Sequence, residues 1–506
     1  MQIVPTDPVT NLSPAWRRCV GTGRMSLSLR HDHVEALRLA RAEIGFEMIR
    51  GHGMLGDDMG VYRPYEWQGA QRTRYVFSYL DQVVDSYLAA GVRPFLELGF
   101  MPAALAVGDQ TVFWWQGNVT PPSSYPQWAE LIRAVLGHLV DRHGIEEVAT
   151  WPIEVWNEPN LPHFWQGADQ QEYFRLYEAT ARAVKDVDPR LQVGGPVLSP
   201  GSDDWWAPFA DFVARREVPV DFVSRHAYTS GPAQHVPFGV YQDLRPPADL
   251  LEQFAAPARH LAGTALTGLP VHITEFNTSY RPDNPVHDTA YNAAYLAPVL
   301  AAAGDHVESF AYWTLSDVFE EEGVPAALFH GGFGLLTHGG IRKPTYHLYA
   351  FMARLGDQVL ARGADHLVTR HPDGRLAVLA WQPVDGSPAP GPERHRVQLS
   401  LPLKADDGAG RAFVMRRRVN EDDGNAWTAW RAMGRPASPT TRQLDDLHVA
   451  ATPAVEHRAA DVTGGRVELD LPLSRHEVTL VEVHPVRDET PPWLDDTRIP
   501  GYGRQA

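Results

Sequence analysis

The sequence predicts an α/β fold, a (β/α)8 TIM barrel carrying an accessory all-β sandwich, and three observations lead there. Eight short apolar segments recur between residues 18 and 316. Stretches of helical period separate them, and strand alternating with helix argues for a parallel sheet. After about residue 360 the helical period fades and short alternating runs take over. Eight strands in one run favour closure into a barrel over an open sheet.

The expected barrel strands are 18–27, 46–51, 93–100, 151–157, 192–198, 221–228, 270–277 and 309–316. Helix-period stretches at 34–44, 75–90, 128–143, 170–187 and 289–303 lie between them. Sandwich strands are expected at 367–370, 376–381, 395–401, 412–419, 466–471 and 477–483, separated by Pro- and Gly-rich connections such as 385–392. This divides the chain into an N-terminal segment (1–17) that joins the sandwich, the barrel (18–358), the sandwich (359–490) and a polar C-terminal tail (491–506).

The 506 residues exceed one ordinary core, in keeping with a large and a smaller domain. A formal net charge of −17 argues against nucleic acid or an anionic membrane as partner. No stretch approaches membrane-spanning length. The lone cysteine, Cys19, excludes an intramolecular disulfide and fits a reducing compartment. The first residues lack a basic region followed by an apolar run, so a cytoplasmic location is expected.

The chemistry concentrates at strand ends. In WPIEVWNEPNLP (151–162) an apolar run stops at Asn157-Glu158-Pro159, and Pro159 ends sheet pairing. The C-terminal strand ends are where barrel enzymes keep their catalytic groups. PVHITEFNTSY (270–280) ends the seventh strand in Glu275, so two carboxylates can face each other across the central pocket. One strand-end Glu alone suits an ordinary salt bridge. Two in aromatic settings at one barrel mouth suit glycoside hydrolysis, which needs an acid for the leaving oxygen and a second carboxylate. Alternation puts His226 and Tyr228 on one face of strand six, and Arg50 and His52 on one face of strand two. An Arg beside Glu275 would keep that carboxylate ionised. Trp313 at the end of strand eight suits the apolar face of a sugar. Phe113-Trp114-Trp115 suits a pocket wall or a buried cluster.

With these segments on the page, the chain resembles the β-xylosidases of glycoside hydrolase family 39 nearly end to end. The matching words are CVGTGR from Cys19, IRGHG from Ile49, ELGFMP from Glu97, GNVTPP from Gly117, EVWNEPNL from Glu154 and DFVSRHAYTS from Asp221. They continue with HITEFNTSY from His272, PVHDT from Pro285, YWTLSDVFEE from Tyr312, FHGGFGL from Phe329 and VRDET from Val486. The resemblance implies a retaining exo-glycosidase, with Glu158 as acid/base, Glu275 as nucleophile, and xylo-oligosaccharides as substrate. It implies that His52, Phe113, Asn157, His226, Tyr228, Tyr280, Trp313 and Glu321 line the xylose subsite, supported by Arg50, with no metal and no cofactor. Relatives form tetramers, so a homo-oligomer is implied as well.

Other readings fare worse. An iduronidase must pair a substrate carboxylate with Arg or Lys; Arg225 alternates away from the pocket, leaving only Arg281. An arabinose-releasing exo-enzyme of the same family is the harder rival. A Schiff-base aldolase needs a strand-end Lys, and Lys185, Lys343 and Lys404 are none. His31-Asp32-His33 opens a helix and reads as a cap rather than a metal site. A carbohydrate-binding barrel without catalysis would be expected to lack one of the two Glu residues.

Overall fold

The structure is a computed structural model that describes residues 10–237, 239–387, 393–403, 410–487, 491, 493 and 498–501. Most of the expected tail, residues 1–9 of the N-terminal segment, 388–392 of the Pro/Gly connection and the end of the VRDET match lie outside the described residues.

Eight parallel strands close into a barrel: β1 (Cys19–Arg24), β2 (Met48–His52), β3 (Arg93–Glu97), β4 (Pro152–Glu154), β5 (Gln192–Leu198), β6 (Phe222–Ala227), β7 (Val271–Phe276) and β8 (Ser309–Tyr312). The seam closes where Ala311 and Tyr312 of β8 pair with Cys19 and Val20 of β1. Every residue of β6 and β7 is buried. Neither strand therefore has a solvent-facing side, although Ser224, Arg225, His226, His272, Thr274 and Glu275 are polar.

One helix follows each strand: α1 (His31–Glu43), α2 (Ser78–Ala89), α3 (Tyr125–His143), α4 (Gln170–Val187), α5 (Trp206–Arg216), α6 (Pro247–Leu261), α7 (Ala290–Ala302) and α8 (Pro344–Met352). In α4, Asp169 caps the start by accepting from the backbone N–H groups of Gln171 and Glu172, both at 3.0 Å. Tyr173, Leu176, Tyr177, Thr180 and Val184 then fall on one buried face. Each large apolar side chain buried this way contributes about 1.5–3 kcal/mol. The helix expected from residue 75 starts only at Ser78, because Tyr75 ends a hairpin made of Tyr62–Trp67 and Ala70–Tyr75. That hairpin is exposed on both faces, so its sequence has no apolar alternation to betray it.

The C-terminal region is antiparallel. Its strands are β9 (Gln358–Arg362), β10 (His366–Arg370), β11 (Leu376–Trp381), β12 (Arg394–Pro402), β13 (Arg411–Val419), β14 (Ala454–Asp461), β15 (Arg466–Ser474) and β16 (Val478–Val486). A seven-stranded sheet runs Thr10–Asn11, β9, β10, β11, β16, β13, β14, and β12 with β15 forms a ribbon beside it. Val378 and Val481 face the ribbon's Val397, Leu399 and Leu469. Ala377, Leu379 and Leu480 on the opposite face join the barrel's own core. Two helices, α9 (Ala426–Ala432) and α10 (Thr441–Ala450), interrupt the β pattern, and Trp430 and Leu447 pack on Leu328, Phe329 and Ile341 of the barrel. Sequence reasoning missed both helices, together with β9 and the exposed edge strand β14.

Candidate active site

The carboxyl ends of the barrel strands surround a cavity of about 890 Å³. Arg50, on β2, is its buried hub. Its Nε donates to Glu154 Oε2 at 2.8 Å, and Nη1 donates to Glu275 Oε1 at 2.7 Å. Nη2 donates to Asn157 Oδ1 at 2.9 Å and lies 2.8 Å from Glu97 Oε2. The rigid guanidinium fork thus sets the positions of three carboxylates and one amide. Thr274 also donates to Glu154 Oε1 at 2.8 Å.

Glu158 stands in the turn after β4, where Trp156 and Glu158 both adopt left-handed backbone, with φ of 74° and 42°. Such residues cost about 1–3 kcal/mol each and persist only when their surroundings hold them. Here Glu158 N donates to Val197 O at 3.0 Å, and Trp156 Nε1 donates to Phe164 O at 2.8 Å. The Glu158 carboxylate is directed at His226, whose Nδ1 lies 2.9 Å from Glu158 Oε1 and 3.4 Å from Glu275 Oε2. One nitrogen therefore touches both carboxylates. Their facing oxygens can be no further apart than those two contacts laid end to end.

Tyr228 donates to Glu275 Oε2 at 3.0 Å. His52 places Nε2 3.4 Å from Glu275 Oε1 and 3.7 Å from Glu321, while its Nδ1 lies 2.6 Å from Glu97 Oε2. Trp313 packs on His52 with ring centroids 4.8 Å apart, and Phe113 on the same ring at 5.8 Å. Tyr280 stands nearer the mouth, 41% exposed, with its hydroxyl accepting from Ala233 N at 2.9 Å. The structure therefore brings His52, Phe113, Asn157, Glu158, His226, Tyr228, Glu275, Trp313 and Glu321 to one cavity or its immediate backing, with Tyr280 on its outer wall.

Burial raises the pKa of Glu158 well above the usual carboxylate range, and the neighbouring Glu275 charge adds to it. Burial also raises Glu275, but Arg50, His52 and the Tyr228 hydrogen bond pull it back. Of the pair, Glu275 is thus the one that ionises first. Burial drives Glu321 upward, reinforced by Glu275. It pushes His52 down to about 3, with Arg50 contributing, and His226 well below its ordinary value. Both shifts favour the neutral ring.

Sequence reasoning missed Glu97 and Glu154. Both end barrel strands inside matched words, but nothing in one sequence says which strand-end carboxylates converge on one guanidinium. Arg225 points out of the pocket, donating to Gln253 Oε1 at 2.7 Å. Arg281 does line the cavity, held by Asp283 at 3.1 Å and Glu322 at 2.7 Å.

The family model "Glycosyl hydrolases family 39" matches residues 1–468. A beta-xylosidase of Geobacillus stearothermophilus is 50% identical over 504 residues, covering 99% of each chain. A beta-xylosidase of Caldicellulosiruptor saccharolyticus is 34% identical over 478 residues, 92% of this chain and 95% of the relative. Among solved structures, a monomeric beta-xylosidase from Caulobacter crescentus CB15 superposes with a TM-score of 0.85 at 34% identity, covering 94% of this chain and 98% of that one.

Proposed function

The chain belongs to glycosyl hydrolases family 39, and from that premise we propose that it is a retaining β-xylosidase, removing xylose from the non-reducing ends of xylobiose and short xylo-oligosaccharides. The observation that carries the stereochemistry is His226 Nδ1 in contact with both carboxylates. Two carboxylates gathered on one nitrogen suit direct attack by one of them, as in the ~5–5.5 Å pair of a retaining enzyme.

Glu158 begins protonated, as its raised pKa requires of a general acid. It gives its proton to the glycosidic oxygen while Glu275 attacks the anomeric carbon, forming a covalent xylosyl ester. Once esterified, Glu275 carries no charge, so the repulsion that raised Glu158 is gone. Glu158 becomes more acidic and takes a proton from the incoming water. Asn157 Oδ1 accepts from Arg50, which leaves the amide NH2 as the group assigned to donate to the sugar 2-hydroxyl. His52, Trp313, Glu321, Phe113, Tyr228 and Tyr280 are assigned as the walls around the sugar, with His226 behind the two carboxylates, and the buried His52 and Trp313 suit exo action.

The test is kcat/KM on aryl β-xyloside, α-L-arabinofuranoside, α-L-arabinopyranoside and iduronide. The xyloside is expected to lead, and a lead by any other sugar defeats the substrate assignment while leaving the mechanism standing. The first-formed sugar, followed by NMR, should be the β-anomer. We place the enzyme in the cytoplasm, acting on imported oligosaccharides as a homo-oligomer. The buried unpaired Cys19 suits a reducing compartment, and the exposed Tyr65 and Trp67 suit a self-contact. Light scattering on the purified chain decides the subunit number.

A further inference from the structure

Glu97 ends β3 behind the cavity wall, wholly buried and without a part of its own in the double displacement. Its Oε2 lies 2.6 Å from His52 Nδ1 and 2.8 Å from Arg50 Nη2. The other nitrogen of the same ring, His52 Nε2, is turned to the cavity, 3.4 Å from Glu275 Oε1 and 3.7 Å from Glu321 Oε1. Phe100, Phe113 and Trp313 pack around the imidazole with ring centroids 5.9, 5.8 and 4.8 Å away, which holds it in this orientation.

A neutral imidazole has one N–H to place, and burial together with the Arg50 charge favours the neutral ring. Glu275 Oε1 accepts from Arg50 Nη1 at 2.7 Å and, as half of an ionised carboxylate, has only electron pairs to turn toward His52. The single ring proton therefore belongs on Nε2. Nδ1 then presents an electron pair to Glu97 Oε2 at 2.6 Å, a contact that is attractive only with a proton on that oxygen. The charges around Glu97 agree. Arg50 and His52 face it from β2, and Arg50 already gives Nε to Glu154 of β4 and Nη1 to Glu275 of β7. One guanidinium thus has two carboxylates to balance before Glu97 is counted, with Glu158 and Glu321 on the cavity side of the same cluster. Burial accordingly pushes the Glu97 carboxyl up to about 8 against the pull of Arg50.

We propose that Glu97 is a positioning residue acting as a neutral acid: it donates to His52 Nδ1 and so keeps the ring proton on the nitrogen that faces Glu275 and Glu321. The ring then supports the ionised form of Glu275 alongside Arg50. The proposal rests on Glu275 as nucleophile and adds the group that sets the proton on its neighbour. A carboxylic acid is suited to this place because its hydroxyl oxygen donates to Nδ1 and still turns an electron pair to Arg50 Nη2. An amide nitrogen has no such pair. In Glu97→Gln the guanidinium therefore selects the amide oxygen, which accepts from Nδ1–H and moves the ring proton off Nε2.

The experiment reads the ring by NMR in enzyme labelled with nitrogen-15 histidine, at about pH 6, below the Glu97 value. The His52 signals, identified by their loss in His52→Asn, should show Nε2 protonated and Nδ1 bare in wild type, and the reverse in Glu97→Gln. In the same variant the acidic limb of kcat/KM on aryl β-xyloside should move upward by about one pH unit, a tenfold loss on the acid side of the profile. A wild-type ring with its proton on Nδ1 overturns the proposal, and that spectrum needs no variant to fold. An exchanged ring proton with an unmoved acidic limb overturns the link from His52 to Glu275. Wild-type activity in Glu275→Ala instead defeats the nucleophile assignment, whatever the wild-type ring signals show.

Discussion

Arg50 Nη1 lies 2.7 Å from Glu275 Oε1, with the guanidinium wholly shut from water and the carboxylate nearly so. Burial favours the protonated form of Glu275 and the Arg50 charge favours the ionised one. Removing the guanidinium leaves burial unopposed. In Arg50→Met, Glu275, the proposed nucleophile, therefore keeps its proton to higher pH, and the acidic limb of kcat/KM should move upward. Activity at neutral pH should drop about ten- to hundredfold, the value of a charged hydrogen bond. A pH–rate profile with an unmoved acidic limb would separate Arg50 from the ionisation of Glu275.

Glu158 holds the second half of the profile. Its pKa is raised by burial and then by Glu275, so with Glu158 as the proposed acid the alkaline limb of kcat/KM should report loss of its proton. In Glu158→Gln that limb should vanish. Hydrolysis of xylobiose, whose leaving alkoxide needs a proton, should fall about 10²–10⁴-fold. A dinitrophenyl xyloside, whose leaving group departs unaided, should lose far less in formation of the xylosyl ester. Equal losses on the two substrates would remove Glu158 from the acid role.

Glu97 is ordinary in sequence and unusual in place. It is fully buried, with Oε2 on Arg50 and His52, and burial raises its pKa to about 8. Between its unfolded value near 4.5 and about 8, the folded chain holds a proton that the unfolded chain has lost. Stability from this group is complete below pH 4.5, drains away as pH rises, and is gone above about 8. Glu97→Gln, which cannot ionise, should show a flatter decline of Tm across that window. Parallel wild-type and variant Tm curves would contradict it.

These three residues differ in how visible they were. Glu158 and Glu275 each close an apolar strand and sit beside Asn or aromatic side chains, so both chemistry and position are written locally. The eight barrel strands were readable for the same reason, being buried on both faces. Glu97 and Glu154 carry no local mark, because their meaning comes from Arg50, far away in sequence. The Tyr62–Trp67 hairpin and the edge strand β14 are exposed along nearly their whole length, so burial imprints no period on them. Helices α9 and α10 are short and bury little of themselves, α10 only Leu447, too narrow a stripe to read.

Lys343 supports the site from behind. Its Nζ lies 2.7 Å from Asp288 and 2.7 Å from Asp317 and donates to Gly332 O at 2.8 Å, all three side chains being buried. Asp317 in turn accepts from Gly334 N at 2.7 Å, so the ion cluster holds the two ends of the loop that carries Phe319, Glu321 and Phe333. Lys343→Met leaves two buried carboxylates facing each other without a cation. Urea unfolding should show a loss of about 3–5 kcal/mol. An unchanged unfolding midpoint would remove Lys343 from the contacts that hold this loop.

Gly21, on β1, tests how tightly the sugar platform is held. A Cβ there would overlap the Trp313 ring and stand 3.1 Å from the Tyr312 carbonyl oxygen. The backbone cannot yield, since β1 pairs with β8 on one side and β2 on the other. Trp313 must therefore tilt, and its packing on His52 tilts with it. Gly21→Ala should cost about 1–3 kcal/mol of stability from overpacking. Because Trp313 and His52 both line the cavity and are the proposed walls of the sugar site, kcat/KM should fall by more than that destabilisation explains at temperatures where the variant is fully folded. A shifted tryptophan emission spectrum would accompany the loss. Full activity with a lowered Tm would mean instead that Trp313 braces the barrel without touching substrate.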